Sequence, residues 1–396
     1  MSKLSLRGLP DPSALAKRQV QIDRARTQRF RLGSHKCERM ALSPLAFLRG
    51  SAPLFYEILK AEPALAEGPA GEGWIVGDLH VENFGAYRSG DGGQTEKVVF
   101  AINDFDDAAI GPFRYDLLRL TTSLLLGLRE FSISGAERLR AGRVLLDSYA
   151  EALAGGGKRN LTAPRCVTAL LDQATERTHV ALLDARTKGH GEKRRFVRGP
   201  RYRNLPASLA KQAEGAFAGY VEKLNVDGHD DAYEVLDLAF RVAGTGSLGS
   251  LRIAVLTRGK GGRDGGFIFD MKEEDAPSAE VLLGADRRSP ADRVIEAARS
   301  CLDHPPRQMG SAKIGATSLL VRRLSPQEDK LDWRKLGVDE IVMLSQHLGA
   351  LVGASHRRGA HGKPKSWAAS DREAVLERAL CMAGIHEATY LAFLML

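Results

Sequence analysis

Residues 74–128 read WIVGDLHVENFGAYRSGDGGQTEKVVFAINDFDDAAIGPFRYDLLRLTTSLLLGL, and this stretch decides the fold. Three short apolar runs, at 74–76, 86–87 and 98–102, are typical of β-strands, and turn-forming residues separate the last two. Leucines then recur at helical spacing up to residue 128. We therefore expect polar side chains at the ends of short strands, followed by a mainly helical segment.

Two clusters of polar residues follow two of these strands. Asp78, His80 and Asn83 lie in one loop, and Asp104 and Asp106 come just after another strand. Carboxylates crowded at the ends of buried strands are costly unless a cation neutralises them. Mg²⁺ prefers one or two carboxylates together with waters and phosphate oxygens. The predicted metal ligands are therefore Asn83, Asp104 and Asp106.

The spacing within these clusters is typical of phosphoryl transfer. Five residues separate Asp78 from Asn83, as in the kinase catalytic loop, where the aspartate accepts the substrate proton and the asparagine binds metal. Asp104 would occupy the position of the metal-binding aspartate of Asp-Phe-Gly, with Asp106 replacing the glycine. The predicted catalytic residues are Asp78, Asn83 and Asp104. We interpret His80 as a partner of the loop backbone, with catalytic acid or metal ligand as the alternatives.

Asp116 lies one turn into the helix that follows GPFRY. We predict that it braces the catalytic loop by accepting backbone hydrogen bonds, which is a structural role at a functional site.

A glycine-rich motif occurs much later, where GTGSLG at 244–249 precedes the strand-like LRIAVL and, across a glycine-rich turn, FIFDMK. The motif alone is weak evidence, but a dinucleotide-binding fold requires a helix directly after the glycines, and here strands follow. Glycine loop, strand, turn and strand ending near a lysine is the order of a kinase nucleotide-binding region. The predicted nucleotide contacts are Gly244, Thr245, Gly246, Ser247, Gly249 and Lys272. Glu280 and Glu296, the latter on a predicted helix over 291–302, are the candidates to orient Lys272.

Composition narrows the class of protein. The net charge of +8 could indicate an anionic partner, but the basic residues are dispersed and aromatics make up only 6% of the chain. A nucleotide therefore explains the charge as well as a nucleic acid does. No apolar run approaches the roughly 18 residues of a membrane helix, and the first residues lack a signal core, so we predict a cytoplasmic protein without a membrane partner. The four cysteines stand singly, which favours reduced thiols over zinc or disulfide sites.

Four motifs resemble those of an uncharacterised bacterial family, domain of unknown function 2252: SPLAFLRG, GDLHVENFG, INDFDDAAIGPFRYDLLRL and GTGSLG. More distantly, GDLHVEN with NDFDDA is similar to the aminoglycoside and choline phosphotransferases, which share the protein-kinase-like fold. In those enzymes the glycine loop precedes the catalytic loop, whereas here it follows by more than 150 residues. The resemblance implies a circular permutation, in which QHLGALVGASHRRGA, at 346–360, would dock near Asp78.

We therefore predict an α+β, two-lobed, protein-kinase-like fold with permuted lobe order. The predicted parts are a basic arm or helix over 1–39, a helical catalytic lobe over 40–240, a strand-rich nucleotide-binding lobe over 241–330 and C-terminal helices over 331–396 that complete the catalytic lobe. Within the catalytic lobe, the basic run at 188–203 is interpreted as a mobile surface loop that could also recruit an anionic substrate.

The predicted function is ATP- and Mg²⁺-dependent phosphoryl transfer to a hydroxyl of an acceptor that the sequence does not identify, with nucleotidyl transfer left open. The alternatives are a metallophosphoesterase that uses the G-D-L-H loop at 77–80 and a non-catalytic nucleotide-binding regulator. Oligomeric state is left open.

Overall fold

Apolar runs and helical leucine spacing set the elements of the chain, which a computed structural model describes over residues 8–90, 97–155, 162–224, 230–243, 249–306 and 308–396. Within these ranges the chain mixes helices and strands, so the predicted α+β class is confirmed. Its α-helices are α1 (Pro12–Thr27), α2 (Gly33–Met40), α3 (Pro44–Gly50), α4 (Ala52–Ala61), α5 (Pro63–Ala66), α6 (Phe113–Glu130), α7 (Gly135–Leu153), α8 (Arg165–Glu176), α9 (His179–Asp184), α10 (Ala207–Leu224), α11 (Glu280–Leu283), α12 (Pro290–Cys301), α13 (Val338–Arg358) and α14 (Ala369–Phe393). Its β-strands are β1 (Glu72–Ile75), β2 (Phe84–Arg88), β3 (Val98–Ile102), β4 (Ala109–Pro112), β5 (Thr187–Lys188), β6 (Arg195–Phe196), β7 (Tyr202–Arg203), β8 (Val235–Arg241), β9 (Arg252–Thr257), β10 (Phe267–Glu273), β11 (Gly310–Ile314), β12 (Thr317–Arg323) and β13 (Asp329–Lys330).

A six-stranded antiparallel sheet, in the order β11-β12-β10-β9-β8-β7, is the largest sheet of the described residues. The predicted hairpin is its centre, because β9 pairs with β10 across the glycine-rich turn. Side chains alternate between the two faces, so that Ile253 and Val255 pack under α10 while Ala254 and Leu256 face the opposite cluster.

The sheet takes in more of the chain than the sequence indicated. Helical segments were expected up to about residue 241, but β8 spans 235–241 and β7 lies earlier still. The sheet therefore recruits strands from the region that was assigned to the helical lobe.

The basic run at 188–203 was expected to be a mobile loop, but its centre is ordered by ion pairs. The Arg194 side chain is buried, with Nη2 2.5 Å from Asp264 Oδ1 and Nη1 3.0 Å from Asp184 Oδ1. Tyr202 and Phe196 stack within the sheet's second apolar cluster. This segment therefore contributes to the fold, although most of its other basic side chains lie at the surface.

The largest hydrophobic core lies among the helices, where α6, α7, α13 and α14 pack together beneath the short strands β1 to β4. The amino-terminal helices join this body, since α1 packs against α14 and α2 against α3. A buried ion pair, with 2.6 Å between Lys36 Nζ and Asp23 Oδ1, ties α2 to α1. The amino-terminal segment, expected to be a solvated helix or arm, is helical over Pro12–Thr27 and partly buried, because this ion pair and apolar residues such as Leu15 bind it to the core. Within the described residues, no helix has the length and apolar character needed to cross a membrane.

Candidate functional site

The loop after β1 is held in place from behind by a buried carboxylate. Asp116 Oδ2 accepts a hydrogen bond from the Val76 amide at 2.6 Å, and Oδ1 accepts one from the Gly77 amide at 2.9 Å. Asp116 also contacts His356 on α13, with 3.0 Å between Oδ2 and Nε2, and both side chains are fully buried. The bracing role predicted for Asp116 is therefore confirmed.

The end of α13 docks at the same place, as expected for the segment 346–360. The Trp74 amide donates to the Gly359 carbonyl at 2.9 Å, and Gly73 forms a bridge with Ala360. Helix α13 therefore borders β1, the strand that leads into Asp78, although α13 is far from Asp78 in sequence.

Gly77 allows the loop after β1 to pack closely against residues 104–107, the acidic segment that follows β3. Its φ of +80° belongs to the left-handed region, and a Cβ there would lie 2.0 Å from the Asp107 carbonyl oxygen. No other residue type fits this approach without moving the backbone. The glycine before Asp78 is thus a condition for bringing the two polar clusters together.

A single turn of 3₁₀ helix, Val81–Asn83, orders the rest of the loop. The His80 amide donates to Asn83 Oδ1 at 2.7 Å, and His80 Nδ1 accepts from the Glu82 amide at 3.2 Å. Burial, with Arg49 nearby, lowers the pKa of His80 well below its usual range, so the ring is neutral and can accept. The interpretation of His80 as a partner of the loop backbone is confirmed.

Asp78 faces a buried arginine. Arg119 Nε donates to Asp78 Oδ1 at 2.6 Å, while its Nη2 also reaches the Leu48 carbonyl at 2.8 Å. The Arg119 side chain is fully buried and that of Asp78 is 21% exposed. Burial raises the pKa of Asp78 to about 7, against the opposing effect of Arg119. A carboxylate with this pKa suits a general base at neutral pH.

The acidic segment after β3 is clamped from the other side by α12. Arg293 is buried and donates from Nη2 to the carbonyls of Asp106 and Asp275, both at 2.8 Å, and from Nη1 to the Ala108 carbonyl. Asp107 Oδ1 accepts from the Ser278 amide at 2.6 Å. The acidic segment is therefore fixed to the residues that follow β10.

Lys272, at the end of β10, lies against this segment. Its Nζ forms an ion pair with Asp106 and lies 3.3 Å from Glu274 Oε1. Burial raises the pKa of Glu274 to about 7, with Lys272 opposing that rise. We expected Glu280 or Glu296 to orient Lys272, but neither does so in the ion pairs of the described residues. Glu296 pairs with Arg288 at 3.3 Å, and no ion pair joins Glu280 to Lys272.

One cleft of about 390 Å³ collects most of the predicted site. It is lined by Asp78, Asn83, Asp104, Asp106, Gly249 and Lys272, together with His80, Asp107 and Glu274. Gly244, Thr245, Gly246 and Ser247 lie outside the described residues. The cleft thus unites the polar loops of the first half of the chain with the strand-end lysine of the second.

The amino-terminal segment forms one wall of this cleft. Arg26 and Arg29 line it, and Arg29 Nη1 is 2.9 Å from Glu273 Oε1. Gly249 has a φ of +109°, and a Cβ there would lie 2.3 Å from the Arg26 carbonyl oxygen. The last glycine of the motif is therefore required for packing against α1, in addition to any contact with a ligand.

The oxygens in the cleft suit a magnesium ion shared with a phosphate. Among the residues that the structure describes, no group of three or more His, Cys, Asp or Glu side chains is arranged to hold a metal. Mg²⁺, however, commonly takes one or two carboxylates and completes its shell with water and phosphate oxygens. Asp104 is exposed, and the hydrogen bond described for its carboxylate, from the Asp106 amide, is long at 3.4 Å. Asn83 Oδ1 accepts one hydrogen bond and keeps a second lone pair.

Three functional residues were missed by the sequence reasoning. Arg119 interrupts a leucine-rich helix, and a charge within an apolar run is a signal for a buried partner. Glu274 lies two residues after Lys272, and residues at this spacing share one face of a strand. Arg293 gives no such signal, because its carbonyl partners belong to distant loops.

Comparison with known proteins identifies one family. No curated protein matches the chain, and no solved structure matches it. A family model described as an uncharacterized protein conserved in bacteria (DUF2252) matches residues 30–393, a range that includes the polar loops, Lys272 and α13. The chain therefore belongs to the DUF2252 family of bacterial proteins.

Proposed function

We propose that the protein is an ATP- and Mg²⁺-dependent phosphotransferase that acts on a hydroxyl group. The observation that carries this proposal is the single cleft that Asp78, Asn83 and Asp104 line together with Lys272. A proton acceptor, metal ligands and a phosphate-binding lysine are the parts that phosphoryl transfer requires.

Asp78 accepts the proton of the substrate hydroxyl in this mechanism. Its pKa of about 7 allows it to hold that proton as the hydroxyl oxygen attacks the γ-phosphorus of ATP. Asn83, Asp104 and Asp106 would hold Mg²⁺, which when bound would offset the charge of the phosphates. Lys272 binds the α and β phosphates, so the chain contributes mainly positioning and charge.

The ion pair between Lys272 and Asp106 implies a change of partners on nucleotide binding. A phosphate that takes the lysine would release the Asp106 carboxylate to the metal. Glu274, 3.3 Å from Lys272 Nζ, remains beside the lysine and takes the orienting role that a helix glutamate has in kinases.

Further contacts support a permuted kinase-like arrangement. α13 borders β1 as the helix before the catalytic loop would, although it lies near the end of the chain and is followed by α14. Lys272 lies on β10, which pairs with β9 at the centre of an antiparallel sheet, and β9 is the strand that directly follows the glycine motif. Both features are expected if the nucleotide-binding half follows the catalytic half.

Calorimetric titration of ATP, with and without Mg²⁺, tests the proposal. We expect Mg²⁺-dependent binding that Lys272→Ala weakens by roughly 10-fold or more, because the lysine provides a charge-assisted contact to phosphate. Lys313→Ala is the matched control, since Lys313 is an exposed lysine on β11 of the same sheet. Absence of ATP binding to the folded wild type, with metal-dependent hydrolysis of p-nitrophenyl phosphate, would instead favour a metallophosphoesterase. ATP binding without ADP formation would favour a nucleotide-binding regulator.

The pH dependence of turnover tests the role of Asp78. The base must be deprotonated, so kcat/KM should rise about tenfold per pH unit below pH 7 and level off above it. Because Arg119 lowers the pKa of Asp78, Arg119→Gln should move the midpoint to higher pH. Arg129→Gln, on the exposed side of the same helix, should leave it in place. A profile of ADP formation that is flat from about pH 5 to pH 8 would argue against Asp78 as the base.

A further inference from the structure

A second cavity adjoins the cleft at two cations. It measures about 450 Å³, and Arg49 and Lys330 line both it and the cleft that contains Asp78. This volume falls within the usual range of small-molecule sites, about 300–1,000 Å³. Arg49 and Lys330 therefore stand between a reactive carboxylate on one side and a separate compartment on the other.

Apolar groups make up about half of the walls of the second cavity. Its apolar lining comprises Leu42, Leu45, Ala46, Val81, Leu124, Leu128, Phe131, Leu331 and Trp333. Leu42 is 77% exposed, and an exposed leucine at a cavity with this lining offers apolar surface to a ligand.

Two acidic residues line the second cavity in different ways. Asp332 is in an ion pair, with Oδ1 3.0 Å from Arg334 Nε, whereas Glu130 Oε1 accepts a hydrogen bond from the Leu45 backbone amide at 2.9 Å. The amide does not offset the Glu130 carboxylate, which lies at the exposed edge of the cavity.

Positive charge is in excess where the cavities meet. Arg49 Nη1 lies 2.8 Å from Glu82 Oε2, and Lys330 Nζ donates to the Glu82 carbonyl at 2.8 Å. Arg49 therefore pairs with the Glu82 carboxylate, whereas Lys330 is held by the backbone carbonyl of the same residue. Arg49 Nε is buried and has no hydrogen-bond partner among the described residues, so a donor remains for an anion.

We propose that the two cavities form one acceptor site for an amphipathic anion. The anionic group lies between Arg49 and Lys330, the apolar chain fills the second cavity, and a hydroxyl close to the anionic group reaches Asp78. The fate of that hydroxyl rests on the proposed phosphotransferase function. Its oxygen forms the new bond to the γ-phosphorus as the bond to the β-phosphate oxygen breaks, ADP leaves, and Asp78 takes the hydroxyl proton.

Calorimetry with 3-hydroxydecanoate and 3-hydroxyhexanoate tests this site on the full chain without nucleotide. Each buried methylene is worth about fourfold in Kd, so the longer acid should bind on the order of 100-fold more tightly. Lys330→Gln should weaken its binding about 10-fold, whereas Lys335→Gln, an exposed lysine nearby, should not. Leu42→Asp should weaken it as well, and Leu380→Asp, the same change at an exposed leucine of α14, should not.

Equal affinity for both acids, or no effect of Lys330→Gln on binding, would overturn the inference. Competition between 3-hydroxydecanoate and MgATP would also overturn it, because the acid would then lie among the nucleotide contacts. If this inference fails, the ATP titration still tests the phosphotransferase proposal. If ATP fails to bind while the chain-length and Lys330 effects hold, the anion site stands and the phosphotransferase proposal falls.

Discussion

Replacing Asp104 with alanine is expected to lower ADP formation by roughly 10²–10³-fold, the usual cost of removing a group that stabilises transition-state charge. Asp104 lies at the end of β3, is exposed and faces the cleft that holds Lys272. Its carboxylate supports little of the fold, since the hydrogen bond described for it is 3.4 Å long. Stability should therefore stay near that of the wild type while turnover collapses.

Under the proposed function, the Mg²⁺ dependence of ADP formation separates metal binding from other roles of Asp104. In the variant, the Mg²⁺ concentration for half-maximal ADP formation should rise, because one ligand oxygen has been removed. Asp303→Ala, at an exposed aspartate outside the cleft, serves as the control. Unchanged turnover in Asp104→Ala would remove this residue from the metal set and leave Asp106 and Asn83 as the candidates.

Local patterns predicted the elements that carry the site. Apolar runs and alternating β-forming residues predicted β3 and the β9–β10 hairpin, and the spacing of leucines predicted α6. The role of Asp116 followed from its position one turn into a helix beside the loop, and its hydrogen bonds to Val76 and Gly77 are as expected. These predictions succeeded because the interactions that specify them lie in neighbouring segments or in one pattern of burial.

Contacts between distant segments could not be predicted in the same way. Lys272 pairs with Asp106 and Glu274 instead of a helix glutamate, because Arg293 pulls the acidic segment towards the end of β10. Arg26, on α1, lines the cleft, and its backbone carbonyl packs against Gly249. Such contacts depend on how helices and strands pack against each other, so composition and residue spacing do not predict them.

The tie between α13 and the catalytic loop gives the largest expected change in stability. A carboxylate only accepts hydrogen bonds, so His356 Nε2 must donate to Asp116, and Tyr149 OH at 3.1 Å then donates to His356 Nδ1. Asp116 thus satisfies the Val76 amide, the Gly77 amide and a histidine N–H in a site without solvent. The two amides belong to the loop after β1 and the histidine belongs to α13, so this side chain joins two segments that also meet where the Trp74 amide donates to the Gly359 carbonyl.

Asp116→Ala should therefore reduce the free energy of unfolding by about 4 kcal/mol or more, since each of three buried donors left without a partner costs about 1–3 kcal/mol. Asp116→Asn should be less damaging, because its amide oxygen still accepts one of the three hydrogen bonds. Urea denaturation compares both variants with Asp147→Ala, which removes a half-exposed aspartate from an ion pair with Arg372 and should cost below about 1 kcal/mol. Equal costs for Asp116→Ala and Asp147→Ala would mean that water replaces the lost carboxylate, and that the docking of α13 does not hold the catalytic loop. A much larger cost for Asp116→Ala, with a parallel loss of turnover in Asp116→Asn, would show that the contact with α13 helps to position Asp78, the proposed base.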